Sequence, residues 1–395
     1  MNNVPVDIFR AVFSPCIDSV SFPLRDVIPM QLTLSQVCSY WRKIMLDTPW
    51  MWNEVTVGPL EDYDEALRVS SQIDEWLSRT GDSLICLDLG SLMGTGLSTP
   101  QNLLHKHRFR KLGLHIQFDQ LSPLFEVSVE NLSHVEELRL LQGYVELEPS
   151  LGEGHEFTKR PFFPTHEFPL LKSLTTDINP DAHDLVHALS WGQLRSLDIR
   201  ADVQSPASCT EILRHCPLLE VFRLDTLTCA LGREWKLKEA SRQPLPKPGI
   251  KPVLLPHLNQ LSIRFVRSDV CDMILDSLVL PELNILSLFY VASDTTKLES
   301  LEGLATGRLG PRLQELSLKD SFDVAFVMDI IESRYRNSPR NGSEARGSGH
   351  AFQAPQATLK RIDLDDADIR DGDQARIDEL RSRGLEIYTG NPLYY

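Results

Sequence analysis

The chain has 395 residues, 42% of them hydrophobic and 24% charged. That is the make-up of a soluble globular protein, too long for one ordinary core, so several domains or a repeat array are expected. A net charge of −15 and a pI of about 5.2 repel phosphate backbones and anionic lipid heads, which argues against nucleic acid and membrane as partners. The opening residues, MNNVPVDIFR, hold no basic stretch leading into an apolar run, so no secretory signal is expected. No apolar run is long enough to predict a membrane span. Cys16, Cys38, Cys86, Cys209, Cys216, Cys229 and Cys271 are scattered, with no C-x-x-C pair. This usage predicts reduced, buried thiols in a cytoplasmic or nuclear protein.

In chain order, residues 1–57 come first and predict a small helical module. Pro5 suits a first helical turn, and Ile8, Val12, Phe13 and Ile17 continue it as a helix. Leu34, Val37, Cys38, Trp41, Ile44 and Met45 fall on one stripe of a single second helix. Pro49 stops that helix, and Trp50 and Trp52 follow. Residues 58–82 predict a linker helix.

From residue 83 onward a hexapeptide recurs, apolar-x-x-apolar-x-apolar. It starts at Leu84, Phe109, Val135, Leu171, Leu194, Leu219, Leu258, Leu283, Leu313 and Leu359. The intervals are 25, 26, 36, 23, 25, 39, 25, 30 and 46 residues, centred near the period of leucine-rich repeats, with the longer ones carrying insertions. Strand side chains alternate, so the fourth and sixth positions share a buried side and the position between them faces outward. That outward column reads Asp88, Gly113, Arg139, Thr175, Asp198, Arg223, Ser262, Ser287, Ser317 and Asp363. Eight of its members form the candidate binding face: Asp88, Arg139, Asp198, Arg223, Ser262, Ser287, Ser317 and Asp363.

Helices are expected between the strands. Ser208 and Glu211 form a capping box ahead of Cys216. Residues 269–278 and 323–331 carry helical spacing, and residues 374–383 form a helix stopped by Gly384. Strand, turn and helix in repetition predict an α/β fold: a helical N-terminal module, then a curved solenoid over residues 83–395 with parallel strands on its concave side. Insertions fall near 142–168, 230–256 and 334–357. The second carries six Lys/Arg against two Glu and offers local contrast on an acidic protein. The third has the composition of a disordered loop.

Motifs for chemistry are weak. His183-x-x-x-His187 has ligand spacing on a helix but no third ligand. The run Asp363, Asp365, Asp366, Asp368, Asp371 and Asp373 fails the calcium-loop spacing. Gly90-Ser-Leu-Met-Gly-Thr-Gly96 lacks the Lys-Ser/Thr that follows a phosphate loop. No catalytic residue, metal or cofactor is assigned, and an enzyme reading is unsupported.

The N-terminal residues resemble the F-box motif. Pro5-Val-Asp-Ile8 stands at its Leu-Pro-x-Glu-Ile start, Val37-Cys-Ser-Tyr-Trp-Arg-Lys-Ile44 at its Val-Cys-x-x-Trp-Arg-x-Ile core, and Thr48-Pro-Trp-Met-Trp52 at its Pro-x-x-Trp. Val4 and Asp7 depart from the motif, and residues 19–30 enlarge a linker. Trp76-Leu-Ser-Arg-Thr-Gly81 resembles the linker of fungal F-box proteins with leucine-rich repeats. The resemblance implies a non-catalytic substrate-recognition subunit of a Skp–cullin–F-box ubiquitin ligase. Pro5, Ile8, Val12 and Trp41 would then bind or support the Skp adaptor, the partners being that adaptor, the cullin complex and a protein substrate. Trp41 and Ile44 could equally hold the module together. The alternative is a repeat scaffold uncoupled from ubiquitination, whose N-terminal module caps the array.

Overall fold

The computed structural model describes residues 5–24, 28–58, 60, 63–90, 103–115, 129–141, 168–177, 189, 191–201, 206–226, 251–291, 298–320, 322–337, 359–365 and 369–390. The chain divides into two compact units, Met1–Asp177 with His187–Ser190, and Ile178–Val186 with Trp191–Tyr395. Both are mixed α/β, and the strands within each pair in parallel.

In the first unit the strands are β1 (Val20–Phe22), β2 (Glu54–Val57), β3 (Ile85–Leu89), β4 (Phe109–His115), β5 (Glu137–Leu141) and β6 (Ser173–Thr176). In the second they are β7 (Ser196–Ile199), β8 (Val221–Asp225), β9 (Val253–Leu254), β10 (Gln260–Phe265), β11 (Leu278–Val279), β12 (Ile285–Tyr290), β13 (Glu315–Asp320), β14 (Arg361–Asp365) and β15 (Glu386–Thr389). Of these, β9 and β11 pair only with each other, and the rest make one parallel sheet. The last four residues of all ten recurring hexapeptides lie on strands of these sheets.

The register explains why the hexapeptide repeats. In the first unit Leu87, Leu112, Leu138 and Leu174 stand opposite one another across adjacent strands. In the second, Leu197, Phe222, Leu261, Leu286, Leu316 and Ile362 do the same. Every one is buried, and burial of one such side chain stabilises by about 1.5–3 kcal/mol. A fork of hydrogen bonds just ahead of several strands fixes the register further. Glu136 O accepts from Lys172 N at 2.8 Å and Ser173 N at 3.0 Å, and Asn259 O accepts from Asn284 N at 2.8 Å and Ile285 N at 2.9 Å. Arg195, Glu220, Asn284 and Gln314 repeat the arrangement.

The helices are α1 (Val6–Phe13), α2 (Met30–Val37), α3 (Ser39–Leu46), α4 (Tyr63–Leu77), α5 (Val129–Leu132), α6 (Pro206–Arg214), α7 (Ser268–Asp276), α8 (Glu302–Ala305), α9 (Val324–Asn337) and α10 (Asp371–Ser382). In α4, Ala66, Val69, Ile73, Trp76 and Leu77 are buried, the spacing of one helical face. Trp76 Nε1 donates to Trp52 O at 3.0 Å, and Trp52 Nε1 donates to Met45 O at 2.8 Å. These bonds satisfy both indoles in the core, where an unpaired N–H would cost about 1–3 kcal/mol.

Several sequence expectations are corrected. The helix expected through Leu34–Met45 is broken at Cys38, which is extended (φ −161°) and caps α3 by accepting from Trp41 N through its sulfur. Val37 is therefore exposed rather than on a buried stripe. Ile17 lies beyond α1 and beyond the short 3-10 turn Ser14–Cys16. Residues 1–57 are not wholly helical, because they supply β1 and β2. Helix α6 begins at Pro206, which places Ser208 inside it rather than at a cap. Two segments read as insertions are partly regular. Val253–Leu254 forms β9, and α9 runs to Asn337. Arg334 is anchored in α9 by donating to the carbonyls of Leu304 (3.0 Å), Gly310 (3.0 Å) and Pro311 (3.1 Å). Cys16 and Cys38 are exposed, while Cys86, Cys209, Cys216 and Cys271 are buried thiols. Burial pushes the Cys216 thiol up to about 12, which keeps it unreactive. Most of the three insertions, and His183 with His187, lie outside the described residues.

Candidate functional site

Two kinds of surface carry the residues singled out by sequence. The first is α1. Its inner side presents Phe9 and Phe13. Trp41 of α3 packs against them with ring centroids 5.9 Å from Phe9 and 4.8 Å from Phe13. Tyr40 meets Phe9 at 5.6 Å. Arg10 ties α1 to the end of α3, donating from Nε to Thr48 Oγ1 at 3.1 Å and from Nη2 to Asp47 O at 3.2 Å. With that side committed, the opposite side is bare: Ile8 is 53% and Val12 57% exposed, and Pro5 is exposed beside them in sequence. Of the four residues assigned to adaptor binding, three are therefore on open surface, while Trp41 supports α1 from within. Ile28, Met30, Val37, Leu46 and Trp50 are also exposed. The apolar spacing had put Val37 on a helix stripe, because the break at Cys38 that turns it outward has no Gly or Pro to announce it.

The second surface is the outward side of the strands, taken unit by unit. In the first unit Asp88, Gly113, Arg139 and Thr175 are in register, and Thr56 extends the row onto β2. Asp88 reaches over Gly113 to Arg139, with Nη1–Oδ2 at 3.3 Å. A Cβ at Gly113 would lie 2.5 Å from Asp88 Oδ1, so the glycine makes this two-strand reach possible. His115 Nε2 stands 3.7 Å from Asp88 Oδ1. Burial holds the His115 imidazole below its usual value, against the pull of Asp88 and with a further push from Arg139. Asp88 Oδ1 and Arg139 Nε are buried without a hydrogen bond.

In the second unit Asp198, Arg223, Ser262, Ser287, Ser317 and Asp363 are in register, and Tyr388 of β15 extends the row. Asp198 is buried and bonded by Arg200 at 2.8 and 3.1 Å, so it is already neutralised. Arg223 is exposed. One row further along the strands lie Arg264, Phe289 and Lys319. The Lys319 ammonium sits 5.2 Å from the Phe289 ring centroid, and Arg264 stands 3.6 Å from Asp225. Of the ten outward positions expected from sequence, four are in register in the first unit and six in the second.

Among the described residues no group of three His, Cys, Asp or Glu side chains is placed to hold a metal. Within the acidic run, Asp373 lies in α10 with Arg376 at 3.9 Å, while Asp366 and Asp368 are outside the described residues. Of the glycine loop only Gly90 is described, and a Cβ there would meet Val57 O at 2.3 Å. That glycine answers a close approach of strands. Among the described residues no helix is long and apolar enough to cross a membrane. No protein-family model matches the chain, and no curated protein is significantly similar to it.

Proposed function

We propose that this chain is the substrate-recognition subunit of a Skp–cullin–F-box ubiquitin ligase, working in the cytoplasm or nucleus. In this reading α1–α3 are an F-box-like module and the strands belong to a curved leucine-rich-repeat solenoid, with a protein substrate held on the concave face. The observation that carries the reading is the bare apolar side of α1. Ile8 and Val12 are exposed although the opposite side of the same helix is packed and pinned by Trp41 and Arg10. A fixed helix presenting unpaired aliphatic groups suits helix-in-groove docking. Ile8→Asp and Pro5→Asp should abolish capture of the Skp adaptor while circular dichroism stays unchanged. Undiminished capture by folded variants would rule the docking role out.

A second reading is favoured by one feature. β1 and β2 pair in parallel with each other and β2 pairs with β3, so residues 1–57 cover a sheet edge that an array needs capped. On that reading the chain is an interaction scaffold uncoupled from ubiquitination. Purification of the intact chain from its own cells separates the two: adaptor and cullin co-purify with a ligase subunit and are absent from a scaffold.

A further inference from the structure

The outward face of the second unit has a relief that sequence order hides. Ser262, Ser287 and Ser317 stand side by side on β10, β12 and β13. Their short side chains make a low row, bordered by the larger Arg264, Phe289 and Lys319 on the next. Arg223 closes the row on one side, across from Ser262. Asp363 closes it on the other, across from Ser317. Strands spaced about 4.8 Å apart put roughly 19 Å between these two ends.

Three observations show that the polar groups of this row are uncommitted among the described residues. Among the described residues Arg223 forms no ion pair, whereas neighbouring Arg200 and Arg264 each face an aspartate. The three serine hydroxyls, half-buried, are bonded to no other described group. Asp363 Oδ1 is buried with no hydrogen-bond partner. Of these groups only Asp363 Oδ1 is buried, where a missing partner is costly; the others reach solvent and are open to hydrogen-bond an occupant.

We propose that this trough binds an extended peptide segment running across the strands, with a carboxylate side chain meeting Arg223 and a hydrogen-bond donor meeting Asp363. A planar guanidinium is suited to a carboxylate, and Arg223 is open to one, whereas Arg264, diagonally across from it, already faces Asp225. The serines let the peptide backbone come close and offer it hydroxyls that donate or accept. Six extended residues span about 20 Å, the length of the row. Against a whole-chain charge of −15, the unpaired Arg223 cation gives acidic segments a defined place to land. The inference rests on reading this face as a protein-binding surface, and it holds whether or not the chain is coupled to ubiquitination.

The test pans the intact chain against a random dodecapeptide phage library. Selected peptides should be enriched in Asp and Glu over the starting library. A charge-assisted hydrogen bond predicts about a tenfold loss of their affinity in Arg223→Gln, and none in Arg195→Gln, a surface arginine already paired with Glu220. Ser287→Phe, which fills the middle of the row, should block the same peptides. Selection of no peptide, of peptides without acidic enrichment, or of peptides indifferent to Arg223→Gln and Ser287→Phe overturns the proposal. Adaptor co-purification is measured separately, so a failed ligase reading and a failed trough are told apart.

Discussion

Gly113 shows how one missing Cβ organises its neighbours. The Asp88 carboxylate lies where that carbon would be, 2.5 Å from Oδ1, and from there it meets Arg139. Gly113→Ala should displace Asp88 and strand Arg139, lowering stability by about 1–3 kcal/mol in urea melts. Adding Asp88→Ala should recover part of that loss, which identifies the clash as its cause. His115 makes the same cluster sensitive to pH. Its pKa is lowered in the fold chiefly by burial, so the unfolded chain binds the proton more readily. The fold then loses stability as pH falls below the ordinary value near 6.5. The melting temperature of the natural chain should drop more between about pH 7 and 5.5 than that of His115→Gln. None of these pairings was legible in the sequence. Asp88 and Arg139 are 51 positions apart, and only the register brings them together.

At the scale of elements, apolar spacing carried most of the reading and also produced its errors. The ten hexapeptides became strands because their fourth and sixth residues are buried in every copy. Their first residue is buried too, in every copy but Leu84. β1, β2 and β15 escaped notice, although Trp52-Asn-Glu-Val55-Thr-Val57, which ends on β2, follows the same apolar spacing. The stripe from Leu34 to Met45 suggested one helix, yet Cys38 supplies its own cap and divides it. Of the adaptor-facing set, the sequence picked out the exposed Pro5, Ile8 and Val12 but could not tell them from Trp41, whose indole packs on Phe13. The two roles separate by experiment. Trp41→Ala should cost about 3–5 kcal/mol by leaving a cavity beneath α1. Ile8→Asp, on open surface, should shift stability by no more than about 0.5 kcal/mol while removing adaptor capture. Equal losses of stability in chemical denaturation would place both residues in the core.

Over the whole molecule, the N-terminal region cannot be treated as a detachable module. A chain beginning at residue 58 loses β1 and β2 and leaves the N–H and C=O groups of β3 unpaired along one edge. Such an edge templates association, so this truncation should elute as aggregate in size-exclusion chromatography while the intact chain does not. The forked carbonyls ahead of the strands have a consequence for handling by force. Within each unit a strand of the sheet is bonded only to the strands before and after it in that sheet, and the fork repeats that link one step earlier. Force drawn through the backbone from one end therefore loads one strand boundary at a time, as in a zipper, instead of shearing the whole sheet together. Under a steady pull each unit should come apart in successive steps, each releasing a repeat of about 25 residues, or roughly 90 Å of extended chain.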